Sequence, residues 1–284
     1  MLQFAANLTM MYTEYPFIER FATAAADGFQ AVEYLFPYDY PAGDLARQLH
    51  AHGLIQVLIN APPGDWSAGE RGLACLPGRE VEFRDAVRRG LDYARALDCP
   101  RLHVMAGVAA GGVHESESLE IFVSTLAWAA EQAASGGIDI LMEPINPLDM
   151  PGYFLHCQEQ AHAIAAEVGA PNLKVQMDLY HCARVEGDVA AELRRYLAPR
   201  RETTVGHVQI AGVPARNEPD TGMLDYDPLF DLIEHLNYDG WIGCEYRPKG
   251  PTSEGLGWLR RRLDGGRIAP GDLESPTDRR GAGA

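Results

Sequence analysis

The apolar residues of this chain recur in short runs, and each run is followed by a loop and then by a longer amphipathic segment. The runs predict strands at residues 3–8, 31–34, 55–60, 101–106, 138–143, 173–178, 206–210 and 241–245. Several of them are rich in Val, Ile, Leu or Phe, which is typical of strands that are buried on both faces. The pattern therefore indicates a parallel sheet.

The amphipathic segments predict helices at residues 14–26, 44–52, 79–97, 116–134, 155–168, 189–197, 227–236 and 253–263. Strands that alternate with helices are typical of right-handed crossovers. Eight such units within 284 residues favour a single-domain α/β fold, the (β/α)8 TIM barrel, over an open doubly wound sheet. The loop after the first strand contains no glycine at residues 7–11, so a dinucleotide cofactor is not expected.

Two segments stand apart from this alternation. Residues 61–78 form a long, Gly- and Pro-rich connection, and long βα loops are typically lids or binding loops. Arg71 lies in this loop and is a candidate substrate contact. We expect the barrel to span residues 1–264, and the composition of residues 265–284, rich in Gly, Pro, Asp and Arg, predicts a disordered tail.

Charge and cysteine content narrow the classes of partner. The formal net charge of −16 repels phosphate backbones and anionic membranes, so neither nucleic acid nor a membrane is expected as a partner. A small anionic substrate is compatible with this net charge, because cationic side chains and a metal ion near the site outweigh the repulsion from more distant acidic residues. The five cysteines include no C-x-x-C pair, which favours reduced thiols in a cytoplasmic protein. No signal peptide and no membrane-spanning run are predicted.

Polar side chains mark the ends of four consecutive predicted strands. Glu143, Asp178 and Glu245 end the fifth, sixth and eighth strands, and Gln209 lies near the end of the seventh. Because the active site of a TIM barrel lies at the C-terminal ends of its strands, we expect these residues to meet at one mouth. All four offer oxygen ligands, which suit Mg²⁺ or Mn²⁺. The alternative is that each one separately occupies a polar rim position.

Three histidines accompany this set. His181 follows Asp178 by three positions and is a candidate hydrogen-bond partner of the substrate. His207 precedes Gln209 by two positions and so shares its face of the strand, which suits a supporting or substrate-binding role. His103 occupies a comparable position on the fourth strand.

Arginines and a lysine supply the local positive charge that an anionic substrate requires. Arg216 lies on the loop after the seventh strand, where its guanidinium would clamp a carboxylate through two hydrogen bonds. The alternative for Arg216 is a solvated surface charge. Arg247 and Lys249 follow the eighth strand.

Several of these segments resemble the hydroxypyruvate isomerase family. PPGDW at residues 62–66 and GERGLACLPGR at 69–79 are similar to the signature loop of that family. EPIN at 143–146, QMDLYH at 176–181, GHVQ at 206–209 and GCEYRP at 243–248 resemble it too. The likeness extends from about residue 4 to residue 259. The strand-end motifs are shared with the wider xylose-isomerase-like barrels, which include sugar epimerases and inosose dehydratases.

The resemblance implies a metal site and a division of labour within it. The implied ligands are Glu143, Asp178, Gln209 and Glu245, and the two glutamates are the implied acid/base pair. His181 and Arg216 are implied substrate contacts, to which Arg71 and His207 are added as candidates. Related sugar epimerases usually carry a histidine where Gln209 stands, and the glutamine agrees with the hydroxypyruvate-type branch.

The implied reaction interconverts hydroxypyruvate and 2-hydroxy-3-oxopropanoate (tartronate semialdehyde) through an enediolate that the metal stabilises. A 2-oxotetronate isomerase, a ketose 3-epimerase and an inosose dehydratase stay open as alternatives on the same fold. An endonuclease would require several zinc ions and a basic groove, and a silent sugar-acid binding protein would not require both glutamates. Such barrels commonly form homo-oligomers.

Overall fold

The computed structural model describes residues 2–109, 112, 114–197 and 204–263 of the chain. Eight parallel strands form a closed barrel in which each strand pairs with its neighbours in sequence and the last closes on the first. The predicted (β/α)8 TIM barrel is therefore confirmed. The strands are β1 (Gln3–Asn7), β2 (Ala31–Tyr34), β3 (Ile55–Asn60), β4 (Arg101–His103), β5 (Asp139–Met142), β6 (Leu173–Asp178), β7 (Val205–Ile210) and β8 (Trp241–Cys244).

Helices surround the barrel and pack their apolar faces against it. They are α1 (Arg20–Ala26), α2 (Ala42–His52), α3 (Glu80–Ala96), α4 (Glu115–Ala134), α5 (Gln158–Val168), α6 (Leu179–Val185), α7 (Val189–Tyr196), α8 (Tyr226–His235) and α9 (Gly257–Leu263). Two 3₁₀ turns, Phe17–Glu19 and Thr252–Gly255, precede α1 and α9. The large apolar cluster of the protein lies between the strands and these helices.

Helix α6 is missing from the sequence prediction. It follows β6 without a loop, because Asp178 ends the strand and also caps the helix by accepting a hydrogen bond from the backbone N–H of Tyr180. His181 consequently lies in the first turn of a helix, not on a loop, and the helix fixes its position relative to Asp178.

Strand β4 is shorter than the predicted 101–106. After His103 the chain leaves the sheet and pairs with the loop that follows β3. Gly72 and Ala106 form an antiparallel bridge, and the backbone N–H of Cys75 donates to the carbonyl of Ala106. The residues after β4 therefore anchor the long loop at the mouth of the barrel.

The interior of the barrel is polar at its centre. Glu33 on β2 contacts His207 and Gln209 on β7, although β2 and β7 are not neighbours in the sheet. Side chains of non-adjacent strands meet in this way only when they point inward. All three are buried, so their polar atoms depend on one another for hydrogen bonds.

Other sequence expectations concern the ends and the surface of the chain. Residues 265–284, for which we predicted disorder, lie outside the described residues. Within the part of the chain that the structure describes, no helix is long and apolar enough to cross a membrane. The five cysteines are all free thiols.

Candidate active site

A cavity of about 880 Å³ opens at the C-terminal ends of the strands. Every one of the eight strand ends or following loops contributes to its wall, which is the expected location of a TIM-barrel active site. Of the eight residues predicted for the site, five line this cavity: Arg71, Glu143, His181, Arg216 and Glu245. Asp178, His207 and Gln209 are fully buried and lie behind the wall.

Glu143, Asp178 and His181 form a compact group of potential metal ligands. One ligand atom from each lies within 4.8 Å of the others. His181 Nε2 is 3.7 Å from Asp178 Oδ2 and 3.9 Å from Glu143 Oε1. Glu143 Oε1 has no hydrogen-bond partner among the described residues, although it is buried. A buried carboxylate oxygen without a partner is costly, which suits a position that receives a ligand.

The hydrogen bonds of Asn146 define the tautomer of His181. The side-chain oxygen of Asn146 accepts from the backbone N–H groups of Leu148 and Asp149, at 3.1 and 3.0 Å. Its amide nitrogen therefore faces His181 Nδ1, at 2.6 Å, and donates to it. Burial lowers the pKa of His181 well below its usual value, so the ring is neutral and carries its proton on Nε2. His181 thus presents an N–H donor to the cavity, which fits a substrate contact better than a metal ligand.

Arg216 joins two of the predicted carboxylates. Its Nη2 donates to Glu245 Oε2 at 2.6 Å and to Asp178 Oδ2 at 3.1 Å. Its backbone adopts a left-handed conformation with φ 57°, which is uncommon for a residue other than glycine and is found at functional sites. The alternative of a solvated surface charge does not apply, because the side chain is only 16% exposed.

Burial raises the pKa of each of the three carboxyls at this site. Burial, reinforced by Glu245 and Asp178, raises the pKa of Glu143 well above its ordinary value. Burial also raises the pKa of Glu245 to about 8, against the lowering effect of Arg216. For Asp178, burial raises the pKa and Arg216 opposes it. Raised carboxyl pKa values at a cavity are a mark of acid/base catalysts.

A second layer of polar residues, which the sequence pattern did not single out, lies below the cavity. The Glu33 carboxylate accepts hydrogen bonds from Asn7 Nδ2 at 3.0 Å, Gln209 Nε2 at 2.7 Å and His207 Nε2 at 2.7 Å. Asn7 Nδ2 also lies 3.3 Å from Glu245 Oε1. Asn7 ends β1 as Asp178 ends β6, so the rule applied to the later strands was available for this one.

Gln209 and His207 lie in this lower layer and bind Glu33. The amide of Gln209 donates to Glu33 and accepts from Gln176 Nε2 at 2.6 Å. Glu33 thereby orients the amide, since only its nitrogen can face a carboxylate. His207 reaches Glu33 and does not line the cavity. The structure therefore connects both residues to Glu245 through Glu33 and Asn7.

The wall formed by β3 and β4 carries unpaired polar groups. His103 and Asn60 line the cavity and are 1% and 3% exposed. Three of their polar atoms have no hydrogen-bond partner in the described part of the chain: both ring nitrogens of His103 and the side-chain oxygen of Asn60. Burial, with a contribution from His207, lowers the pKa of His103 to about 3, so this imidazole is neutral.

The loop after β3 covers one side of the cavity. The Arg71 guanidinium lies 3.8 Å from the centre of the Trp66 ring, and both side chains line the cavity. Glu70 ties the loop together, since it accepts from the backbone N–H of Asp65 and from Arg79. Arg71 is therefore held at the cavity by a braced loop, as its candidate role requires.

The donors present fit a hard divalent cation. Glu143 and Asp178 place carboxylate oxygens within 4.8 Å of each other, and Oε1 of Glu143 lacks a partner among the described residues. Glu245 adds a third carboxylate, which shares the Arg216 guanidinium with Asp178. Gln209 differs from the other three, because both of its amide atoms bind protein groups in the lower layer.

Known proteins share the whole of this architecture. A profile of the xylose isomerase-like TIM barrel matches residues 21–262. The 2-oxo-tetronate isomerase of Cupriavidus necator is 56% identical over 263 residues, which cover 93% of this chain and 99% of that protein. The hydroxypyruvate isomerase of Escherichia coli is 43% identical over 259 residues, which cover 91% of this chain and 98% of that protein.

Solved structures agree with the profile. A Brucella melitensis protein described as AP endonuclease, family 2, superposes with a TM-score of 0.88 at 48% identity and covers 92% of this chain and 98% of its own. The 3-keto-D-glucoside 4-epimerase of E. coli superposes at 0.73 with 20% identity, over 92% and 99% of the two chains, and this likeness concerns the fold alone. The chain therefore belongs to the xylose isomerase-like TIM barrel family, within the group that contains hydroxypyruvate and 2-oxo-tetronate isomerases.

Proposed function

We propose that the protein is an isomerase of small hydroxy-oxo acids that exchanges a carbonyl and a hydroxyl group between adjacent carbons. Hydroxypyruvate, which would become 2-hydroxy-3-oxopropanoate, and the 2-oxo-tetronates are the substrate candidates. The observation that carries this proposal is the pair Glu143 and Glu245, two buried carboxyls with raised pKa values at one cavity. The names of two relatives that match nearly the whole chain support it.

The two glutamates perform the proton transfers in this proposal. One removes the proton from the carbon that bears the hydroxyl, and the electron pair moves into an enediolate between the two carbons. The other delivers a proton to the carbon that carried the carbonyl. The hydroxyl oxygen becomes the new carbonyl and the former carbonyl oxygen takes up its proton, so the overall change is a hydrogen shifted between neighbouring carbons.

Cationic and neutral donors hold the substrate between the glutamates. Arg216 offers its guanidinium to the substrate carboxylate, and His181 offers its Nε2 proton to an oxygen of the reacting carbons. Arg71 adds positive charge from the loop that covers the cavity. His207 acts only indirectly, by supporting Glu33. The covering loop would keep water from the enediolate.

A divalent cation, Mg²⁺ or Mn²⁺, is the proposed cofactor. Glu143, Asp178 and Glu245 would hold it, and Gln209 would join them if its oxygen exchanged Gln176 for the ion. When bound, the cation would polarise the carbonyl and hydroxyl oxygens of the substrate. The protein's own contribution is to orient these oxygens and to move the carbon-bound proton.

A small substrate explains the cavity better than a nucleic acid does. The net charge is −16, and within the described ranges a single group of His, Cys, Asp and Glu side chains has metal-ligand geometry. An endonuclease with several zinc ions would require a denser histidine cluster and a basic groove. The free thiols are consistent with the proposed cytoplasmic location.

Amide variants of the two glutamates test the proposal. Glu143→Gln and Glu245→Gln should each lower turnover of hydroxypyruvate or a 2-oxo-tetronate by roughly 10²- to 10⁴-fold. Proton NMR in D₂O should show exchange of the substrate C–H with solvent in the wild type and its loss in the variants. Thermal unfolding serves as the control for folding. Either variant with wild-type turnover would remove its glutamate from the mechanism.

A further inference from the structure

The β3–β4 side of the cavity has hydrogen-bonding capacity that the mechanism above does not use. Asn60 ends β3, His103 ends β4, and the two are direct partners in the register of the sheet. Their side chains therefore lie side by side on the same face. Three of their polar atoms have no partner among the described residues: Asn60 Oδ1, His103 Nδ1 and His103 Nε2.

Such a pair costs stability unless something binds to it. A buried polar atom without a hydrogen bond is unfavourable, and structures rarely retain several together without a functional reason. The backbone here is fixed, since the carbonyl of Asn60 accepts from Tyr38 and the carbonyl of His103 accepts from the backbone N–H of Ala61. The backbone thus holds both residues in place at the wall of the cavity.

The chemistry of the two side chains selects a hydroxyl group as the partner. A neutral imidazole offers one N–H donor and one acceptor nitrogen, and the side-chain oxygen of Asn60 is a pure acceptor. A hydroxyl can accept from the imidazole and donate to the amide oxygen at once. A carboxylate would meet the Asn60 oxygen without a proton to share and would lie near Glu143, whose Oε2 is 3.9 Å from His103 Nδ1.

The closed barrel places this pair far from the proposed carboxylate contact. With eight strands in sequential order, β3 lies opposite β7, and Arg216 is on the loop that follows β7. Glu143 follows β5, between these two sides of the mouth. A substrate whose carboxylate lies at Arg216 would therefore extend its other end toward Asn60 and His103.

We propose that His103 and Asn60 form a subsite for the hydroxyl of a hydroxymethyl group beyond the two reacting carbons. The protein then prefers four-carbon hydroxy-oxo acids, the 2-oxo-tetronates, to the three-carbon hydroxypyruvate, which has no such group. The inference rests on the proposed isomerase function, because that function places the reacting carbons between Glu143 and Glu245.

Substrate comparison tests the subsite. His103→Leu should lower kcat/KM for 3,4-dihydroxy-2-oxobutanoate by roughly 10- to 100-fold, which is the loss expected for one buried hydrogen bond. The same variant should change kcat/KM for hydroxypyruvate by less than about threefold. His103→Gln keeps a donor and an acceptor and should restore much of the preference. His162→Leu removes an imidazole that stacks on Tyr196 outside the cavity, so it should leave the preference unchanged.

Equal losses of kcat/KM for both substrates in His103→Leu, or a wild type that favours hydroxypyruvate, would overturn the subsite.

A binding measurement distinguishes failure of the subsite from failure of the isomerase proposal. Calorimetry should show that 2,3,4-trihydroxybutanoate binds the wild type more tightly than glycerate, and that His103→Leu and Asn60→Ala abolish the difference. A wild type without turnover that retains this binding difference would refute the isomerase and keep the subsite. A wild type that binds both acids equally would refute the subsite.

Discussion

At the scale of single residues, Glu33 determines how the lower layer of the site is arranged. Its carboxylate is the acceptor shared by Asn7, His207 and Gln209, and it packs so closely against β8 that a Cβ on Gly243 would overlap it. No residue other than glycine fits at position 243 without displacing Glu33. This one carboxylate consequently controls the orientation of Gln209 and, through Asn7, the surroundings of Glu245.

Removing the Glu33 carboxylate should destabilise the protein strongly. Glu33→Leu leaves the buried donors of His207 and Gln209 without an acceptor and leaves Asn7 Nδ2 only Glu245 Oε1, so we expect a loss of about 3–5 kcal/mol in the free energy of unfolding. Glu33→Gln retains the shape and one oxygen, so its loss should be clearly smaller. Urea denaturation of both variants measures the difference. A Glu33→Leu protein as stable as the wild type would show that the three donors find other partners.

The sequence predicted single residues well where a local rule applied. Glu143 and Glu245 follow apolar strands, and polar residues in that position indicate the mouth of the barrel. The lower layer follows no local rule, because Glu33 and His207 are 174 positions apart and meet only across the closed barrel. The tautomer of His181, in α6, likewise depends on Asn146, which lies on the loop after β5.

At the scale of elements, the sequence predicts the order of strands and helices but not how one element passes into the next. Apolar residues repeat with a different period in strands and in helices, which is why β3 and β6 have the predicted bounds. The sequence pattern does not indicate α6, because Asp178 both ends β6 and caps the helix, so no loop separates the two elements. Strand β4 ends early because the chain turns toward the covering loop, where Ala106 pairs with Gly72 in a tertiary contact that hydrophobic periodicity cannot report.

An ion pair between Arg79 and Glu70 braces the covering loop in addition to its backbone pairing with Ala106. Arg79 Nη1 and Nη2 lie 2.6 and 3.3 Å from the two carboxylate oxygens of Glu70, which also accepts from the backbone N–H of Asp65. Arg79→Met keeps the apolar stem and removes the charge. We expect faster amide exchange in the loop and a KM about 3- to 10-fold higher, with a smaller change in kcat, because the pair positions the loop and not the reacting groups.

A matched variant on α3, the helix that begins just after Arg79, separates this effect from a general loss of charge. Arg88 forms an exposed ion pair with Asp85 on α3, away from the loop. Arg88→Met should leave both the amide exchange of the loop and KM unchanged. If the two variants behave alike, the Glu70–Arg79 pair does not hold the loop.

At the scale of the whole molecule, buried carboxyls make the stability of the protein depend on pH and on metal. Glu245, with a pKa of about 8, and Glu143 favour their protonated forms in the folded state. Between the unfolded pKa of about 4.3 and the raised folded values, the folded chain binds more protons than the unfolded chain. The contribution of these groups to stability is therefore complete below that window and declines as pH rises through it.

A divalent cation should reverse this trend, because it binds the ionised carboxylates and displaces their protons. We expect Mn²⁺ to raise the melting temperature more at pH 8 than at pH 6. Calorimetric titration at pH 7 in two buffers of different ionisation enthalpy should show release of about one proton or more per ion bound. Glu245→Gln, which has no proton to lose at that position, should release fewer. Binding without proton release, or equal stabilisation at both pH values, would mean that the cation does not use these glutamates.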